Sequence, residues 1–321
     1  MIVVTGAAGF IGSCLVSFLN REGFNDLVLV DDFSVEAKSH NLLGKSFTEK
    51  VERTSFFNWF EKNHHRIQFV YHLGARTDTT EKNIDIFEKL NLSYSKQVWE
   101  YCCRYGIALV YASSAAVYGS GDKGYSDDHS LMNQYVPLNP YGASKYDFDA
   151  WVLLQTQQPY HWAGLRFFNV YGPNEYHKGR MASVVFHAYK QLQEKGKITL
   201  FRSHKFGISD GEQKRDFVYV MDVCKVMYFL LHHRNSREIY NLGTGNAETF
   251  YDLANWVSEA AGMSPQITFV DTPEDIRNTY QYYTCADISK LRSSGYKEPF
   301  IGLHDGVFHY VKNYLTIQSY S

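Results

Sequence analysis

Tyr141 and Lys145, in the stretch Tyr141-Gly142-Ala143-Ser144-Lys145, are the residues whose types and spacing point most directly to chemistry. Four residues apart on a helix, they share one face. An ammonium beside a phenol stabilises the phenolate, so the spacing predicts a Tyr141 pKa drawn from about 10 toward neutrality. A tyrosine tuned in this way exchanges a proton with a hydroxyl near pH 7. Ordinary surface helices carry the same spacing, and the chain holds 25 tyrosines, so the pair gains meaning only from its surroundings.

The second chemical feature is Gly6-Ala7-Ala8-Gly9-Phe10-Ile11-Gly12, which follows an apolar run and opens an amphipathic one. Gly6, Gly9 and Gly12 let the backbone turn tightly and approach a pyrophosphate at a helix N-terminus. Asp31 ends the next apolar run, where an acidic residue binds an adenosine ribose. Loop, run and acid together predict a dinucleotide site. Lys38 and Arg53 lie downstream and would meet a 2′-phosphate, which selects NADP; Asp32, beside Asp31, would repel it and leaves NAD open.

The elements that must carry these residues alternate. Ile2–Thr5, Leu27–Val30, Phe69–His72, Ala108–Ala112 and Ala163–Phe167 read as short buried strands. Between them Ile11–Glu22, Ile84–Tyr105 and Tyr141–Gln155 read as helices. That order predicts an α/β fold, a Rossmann-type doubly wound parallel sheet. After Asn169 the pattern loosens into helices near Ser183–Glu194, Val220–His232 and Phe250–Ala261, with strands near Thr199–Phe201 and Ile267–Val270. The expected division is a dinucleotide-binding domain over 1–170 and a smaller, mainly substrate-binding α/β lobe over 171–321. Residues 215–245 are expected to pack back on the first domain, and His204–Lys214 to form a surface loop.

A net charge of -2 gives no electrostatic case for nucleic acid or an anionic membrane. No apolar run is long enough to span a bilayer, and Met1–Thr5 enters a strand with no basic leader. Cys14, Cys102, Cys103, Cys224 and Cys285 have neither metal spacing nor the pattern of a disulfide framework, which suits a reducing cytoplasm.

With these motifs in order, the chain resembles the extended short-chain dehydrogenase/reductase family. The glycine loop, Tyr111–Gly119, the Tyr141/Lys145 pair and Arg166–Pro173 carry the resemblance. It implies that Ser114 bonds the reacting oxygen, Tyr141 is the acid/base, and Lys145 binds the nicotinamide ribose and tunes Tyr141. Within the family, Asn169–Pro173, Tyr176-His177-Lys178-Gly179, Met181–Val184, Lys214–Val220 and Asn241–Gly245 resemble the branch that epimerises ADP-heptose at C6.

That closer resemblance makes Lys178 a second acid/base residue, facing the sugar from the side opposite Tyr141. An epimerase removes a hydride from a carbinol carbon and returns it to the other face, so two proton carriers on opposite sides suit it. The resemblance also implies cofactor contacts at Phe10, Ile11, Asp31, Lys38, Arg53, Asn91, Lys145 and Val170, and along Leu73-Gly74-Ala75-Arg76-Thr77. Substrate contacts are implied at Ser114, Asn169, Arg180, His187, Phe201, Arg202, Ser203, His204, Arg215 and Tyr280. A guanidinium fork at Arg215 independently suits a diphosphate. A homo-oligomer, pentameric in relatives, and heptose supply for the lipopolysaccharide core are implied too.

The chain departs from the branch at Asp32, Leu73, Arg76 and Arg180, and His204–Lys214 is longer. Other readings are a UDP-galactose 4-epimerase type of enzyme and a non-catalytic dinucleotide-binding protein. A 4,6-dehydratase needs an Asp-Glu pair after the catalytic serine, where this chain has Ala115-Ala116.

Overall fold

Strands that alternate their side chains between two covered faces build the centre of the molecule. In Ile2–Thr5, Val3 enters one core and Ile2 and Val4 the other. Val28 and Val30 likewise part from Leu27 and Leu29. This period of two, with apolar residues on both faces, is the mark of a sheet covered by helices on each side.

A computed structural model of the chain describes residues 1–277 and 280–321. Its strands are β1 Ile2–Thr5, β2 Leu27–Asp31, β3 Glu49–Glu52, β4 Phe69–His72, β5 Ala108–Ser114, β6 Trp162–Phe167, β7 Asn169–Tyr171, β8 Ile198–Phe201, β9 Lys214–Tyr219, β10 Arg237–Leu242, β11 Ala247–Thr249 and β12 Ile267–Val270. Seven form one parallel sheet in the order β10-β6-β5-β4-β1-β2-β3. The order reverses between β1 and β4, and ligands of such sheets bind in the crevice at that switch point. β11, β9 and β7 form a three-stranded sheet, and β12 pairs β8.

The helices are α1 Phe10–Arg21, α2 Phe56–Asn63, α3 Ile84–Phe87, α4 Tyr94–Tyr105, α5 Pro140–Leu153, α6 Val184–Lys195, α7 Val220–His232, α8 Phe250–Ala260, α9 Glu274–Arg277, α10 Ser289–Ser293 and α11 Leu303–Tyr310. Leu15, Val16 and Leu19 of α1 join Val223, Met227 and Leu230 of α7 on one face of the sheet. Phe56 and Phe60 of α2, Trp99 and Cys102 of α4, and Phe148 and Val152 of α5 cover the other.

The predicted helix Ile84–Tyr105 is divided, with a π-helical turn at Glu88–Ser93 between α3 and α4. Asn91 sits in that turn with its side-chain amide spent on a neighbouring loop, and such turns mark functional sites more often than chance. β3 was not predicted because its residues Glu-Lys-Val-Glu bury only Val51 at the sheet edge. β10, the other edge, begins with the polar pair Arg237-Glu238. Among the described residues no helix is long and apolar enough to cross a membrane.

Candidate active site

Two glycines set the seat of the site. Gly6 has φ +68°, and a Cβ there would lie 2.7 Å from the Gly74 backbone. On Gly12 a Cβ would lie 2.1 Å from the Gly6 carbonyl oxygen. Close packing of β1, the loop and α1 therefore excludes a side chain at both positions. α1 begins at Gly9 with no side-chain cap and no acid in its first turn. Its positive end is left for an anion.

The crevice above this loop is a cavity of about 520 Å³. Every cofactor residue predicted from the sequence lines it except Asn91, Lys145 and Val170. Tyr94, His177 and Met181 line it as well and were not predicted. Val170 pairs with Val218 between β7 and β9. Asn91, almost fully buried, accepts the Arg76 amide at 2.8 Å, donates to the Arg76 carbonyl at 3.0 Å and to Ser144 Oγ at 3.0 Å. It shapes the Leu73–Thr77 wall and ties it to α5.

At the end of β2 the carboxylates already have partners. Asp31 accepts the Ala8 amide at 2.8 Å, the Asp32 amide at 2.7 Å and Lys38 Nζ at 2.9 Å. Asp32 accepts Arg53 at 3.2 Å and Ser34 Oγ at 2.5 Å, and the Ser34 hydroxyl holds its pKa below the ordinary value. Lys38 and Arg53 both line the cavity, each as half of an ion pair. Arg76, at the other wall, pairs with Asp78 at 3.3 Å.

α5 presents the proposed catalytic pair. Asn139 accepts the Gly142 amide at 2.8 Å and Pro140 occupies the first turn, so the helix starts just before Tyr141. The Tyr141 shift has the opposite sign to the sequence expectation. Burial raises its pKa, while a hydrogen bond with Ser114 pulls it back. Burial lowers Lys145 to about 8, opposed by the Asp149 charge, and its ammonium donates to the Ala112 carbonyl at 2.8 Å. Helical spacing counts the neighbouring charge but not desolvation, and desolvation leads at Tyr141, with the Ser114 hydrogen bond opposing it. Ser114 Oγ also accepts the Ala116 amide at 3.1 Å.

Lys178 comes from a different element, the short 3-10 segment Tyr176–Met181, which is kinked at Gly179. It lines the dinucleotide cavity, with its ammonium 5.6 Å from the centre of the Phe10 ring. Burial lowers its pKa, opposed by the Glu175 charge.

The residues predicted to meet substrate fall into three groups. Asn169 and Arg180 are exposed, and His187 on α6 lies 3.4 Å from the Arg180 carbonyl. Phe201, Arg215 and Tyr280 cluster: the Arg215 guanidinium lies 5.4 Å from both the Tyr280 and Phe250 rings, and Phe201 meets Tyr280 edge-on at 6.1 Å. The Arg215 fork donates to the carbonyls of Lys214, at 2.9 Å, and Gln281. In the third group Arg202 faces Asp210 at 3.7 Å, the Ser203 amide bonds Asp210 at 2.8 Å, and the His204 amide bonds the Tyr282 hydroxyl at 3.0 Å.

Residues 2–243 match the NAD dependent epimerase/dehydratase family. The chain belongs to that family. Its relatives include the ADP-L-glycero-D-manno-heptose-6-epimerase of Fusobacterium nucleatum, 45% identical, with 98% of each chain covered. The crystal structure of the Helicobacter pylori ADP-L-glycero-D-manno-heptose-6-epimerase superposes with a TM-score of 0.79 at 28% identity, covering 97% of this chain and 95% of that one. The UDP-glucose 4-epimerase of Thermus thermophilus, solved in complex with NAD, gives 0.74 at 27% identity, covering 97% of each.

The residues of this family member fit a nicotinamide dinucleotide. The glycine seat admits no Cβ, the first turn of α1 is uncapped, and the cavity runs from there to Asp31. Behind the site lies a buried polar network that the sequence did not reveal. Asp149, four residues beyond Lys145, accepts Arg166 Nε at 2.9 Å, Ser113 Oγ at 2.9 Å and the Tyr111 hydroxyl at 3.1 Å. Arg166 also donates to the Tyr118 hydroxyl at 3.0 Å, which donates to Asn241 at 2.6 Å. The signal in the sequence was a carboxylate continuing the Tyr141/Lys145 face.

Proposed function

We propose that the protein is an isomerase that inverts C6 of ADP-D-glycero-β-D-manno-heptose, giving ADP-L-glycero-β-D-manno-heptose through a transient ketone. The observation that carries this is Lys178, a buried amine that lines the dinucleotide cavity, on a separate element from the Tyr141/Lys145 helix. The names of the relatives supply the substrate class.

The bound nicotinamide supplies a reversible hydride acceptor, so it is regenerated in each turnover and is not consumed. Ser114 holds the sugar oxygen beside Tyr141. Burial favours the uncharged forms of both Lys178 and Tyr141, so the two enter the cycle with different duties. Lys178, in its uncharged form, takes the hydroxyl proton as the ketone forms. The Tyr141 phenol gives a proton to the oxygen as the inverted alcohol is made, and loss of a proton to solvent by the Lys178 ammonium and uptake of one by the Tyr141 phenolate restore both groups for the next turnover. Lys145, beneath Tyr141, holds the nicotinamide ribose and Arg215 the diphosphate. Residues 1–170 carry the cofactor and 171–321 mainly the sugar nucleotide. The setting is a cytoplasmic homo-oligomer supplying heptose for lipopolysaccharide core.

The cofactor proposed is NADP, held at its 2′-phosphate by Lys38 and Arg53. NAD is the second reading, and the pairing of both cations with Asp31 and Asp32 favours it.

Tyr141→Phe and Lys178→Met test the two-carrier scheme. Each should lower turnover by about 10²–10⁴-fold while bound cofactor is retained. Cofactor content is read by absorbance after denaturation, and turnover by resolving the two heptose epimers. Wild-type turnover in either variant contradicts the scheme.

A further inference from the structure

Glu175 is a buried carboxylate, 1% exposed, that the proposed chemistry does not use. We propose that Glu175 is a positioning residue for Lys178: its carboxylate closes the loop that carries the amine and supplies its counter-charge. The inference rests on the assignment of Lys178 as a proton carrier.

The closure is geometric. At the start of segment 172–183 the Gly172 amide donates to Glu175 Oε1 at 3.5 Å. At its end the Ser183 hydroxyl donates to the same oxygen at 2.6 Å, and the Ser183 amide donates to the other. One carboxylate therefore joins both ends. Ser183 Oγ in turn accepts the Phe186 amide at 3.2 Å, which fixes the clasp to the first turn of α6. Inside the segment, Asn174 at φ 73° and Gly179 at φ 53° are left-handed. The Lys178 amide donates to the Glu175 carbonyl at 3.0 Å.

The charge follows from the same placement. Lys178 and Glu175 each oppose the shift that burial imposes on the other. The Lys178 ammonium lies against the Phe10 ring and lines the dinucleotide cavity, where the Glu175 charge still acts on it. Near the pair are His177 beside Lys178, Tyr310 from α11 and Cys14 from α1, and the paired charges of Asp31 and Lys38 share the cavity with Lys178. Burial holds His177 at about 4 and Cys14 at about 12, and pushes Tyr310 well above its ordinary range, so all three are uncharged near neutrality.

Removing the Glu175 charge lowers the Lys178 pKa further, because an opposite charge favours the protonated amine. The acid limb of the kcat/KM profile, where Lys178 becomes protonated, should therefore move to lower pH by about one unit in Glu175→Gln. Glutamine keeps the shape and can still accept from Ser183. Glu175→Asp keeps the charge and should leave that limb where it is in the wild type. A structural role alone would change activity without moving the limb.

The pH profile is measured on the purified cofactor-bound enzyme for both variants, with Lys178→Met alongside. A shift in Glu175→Gln that is absent in Glu175→Asp supports the proposal. A wild-type limb in Glu175→Gln with Lys178→Met inactive overturns it and leaves the Lys178 assignment standing. An active Lys178→Met removes the assignment itself. Loss of folding in Glu175→Gln, read by thermal melting, is followed into the double variant with Lys178→Met. Recovery there shows the two charges are coupled; no recovery means the carboxylate serves the fold alone, and overturns the proposal.

Discussion

Arg166→Met is the sharpest probe of how α5, the helix of Tyr141 and Lys145, is held. Arg166 and Asp149 are 2% and 0% exposed, and their ion pair is 2.9 Å long. Removing the guanidinium leaves Asp149 with the Ser113 and Tyr111 hydroxyls and with Lys145 as its remaining counter-charge, and it leaves the Tyr118 hydroxyl oxygen without its donor. Breaking one side of a buried pair costs about 3–5 kcal/mol. For a large domain each kcal/mol lowers Tm by roughly 2–4 °C, so Tm should fall by roughly 6–20 °C. Urea unfolding followed by tryptophan emission suits the site, since Trp162 packs between Trp99 and Tyr111 on the same face of the sheet. Both proteins are compared with cofactor in equal excess, because bound ligand adds to apparent stability. Replacing both charges, in Arg166→Met/Asp149→Leu, should recover most of the loss. A single-variant cost below about 1 kcal/mol, or a double variant no better than the single, would refute a buried pair whose desolvation dominates.

Two further predictions concern the cofactor and acid. NADP should bind at least about tenfold more tightly than NAD, and Arg53→Ala should erase that preference while changing NAD affinity by less than about twofold. Calorimetry giving equal losses for the two cofactors would sink the 2′-phosphate assignment. His72 and His161 are buried and held neutral, with pKa values lowered to about 3 and about 4. Their unfolded value is about 6.5, so between 6.5 and those values only the unfolded chain binds the protons and stability is lost as pH falls. Asp127, Asp216 and Glu175 are raised by burial and act in the opposite direction. The net loss from pH 7 to 5.5 should be about 1–3 kcal/mol, and an unchanged urea midpoint over that range would contradict it.

What was legible in the sequence depended on range. β1, β2, β4 and the glycine loop announce themselves locally, by apolar runs and by glycines whose Cβ has no room. α5 announces itself by Asn139, Pro140 and helical spacing. β3 and β10 are edge strands, and an edge strand keeps enough polar side chains to hide its period. The π turn at Glu88–Ser93 has no local signature, since it accompanies Asn91 bonds made far along the chain to Arg76 and Ser144. The same limit applies to Asp149 and Glu175. Nothing near either in the chain says that its carboxylate is buried; Arg166 and Ser183 say so, and only folding brings them close. The Tyr141 expectation had the wrong sign for a related reason, because burial is a property of the whole fold while the Lys145 charge is a property of one turn.

A helix face can supply one proton carrier and its tuning partner, since residues at four-residue spacing point the same way. It cannot supply a carrier for the opposite side of a flat ketone, so a second element has to reach across. Segment 172–183 is suited to that duty: Gly179 takes its positive φ freely, while the left-handed backbone at Asn174 is held by its surroundings. The fastenings run to the cofactor's seat. Asn174 Nδ2 donates to Ser13 Oγ at 2.9 Å, and Ser13 donates to the Phe10 carbonyl at 3.1 Å. Asn41 donates both to the Asn174 carbonyl at 3.1 Å and to the Ala8 carbonyl at 2.9 Å. Lys178 is thereby referenced to the glycine loop and the first turn of α1, and movement of the outlying β8 and β12 strands around a sugar nucleotide would leave its distance to the cofactor's seat unchanged. An enzyme that must return a hydride to either face of one carbon needs that fixed reference on both sides, and the bonds from Asn174 and Asn41 provide it for the side that α5 cannot reach.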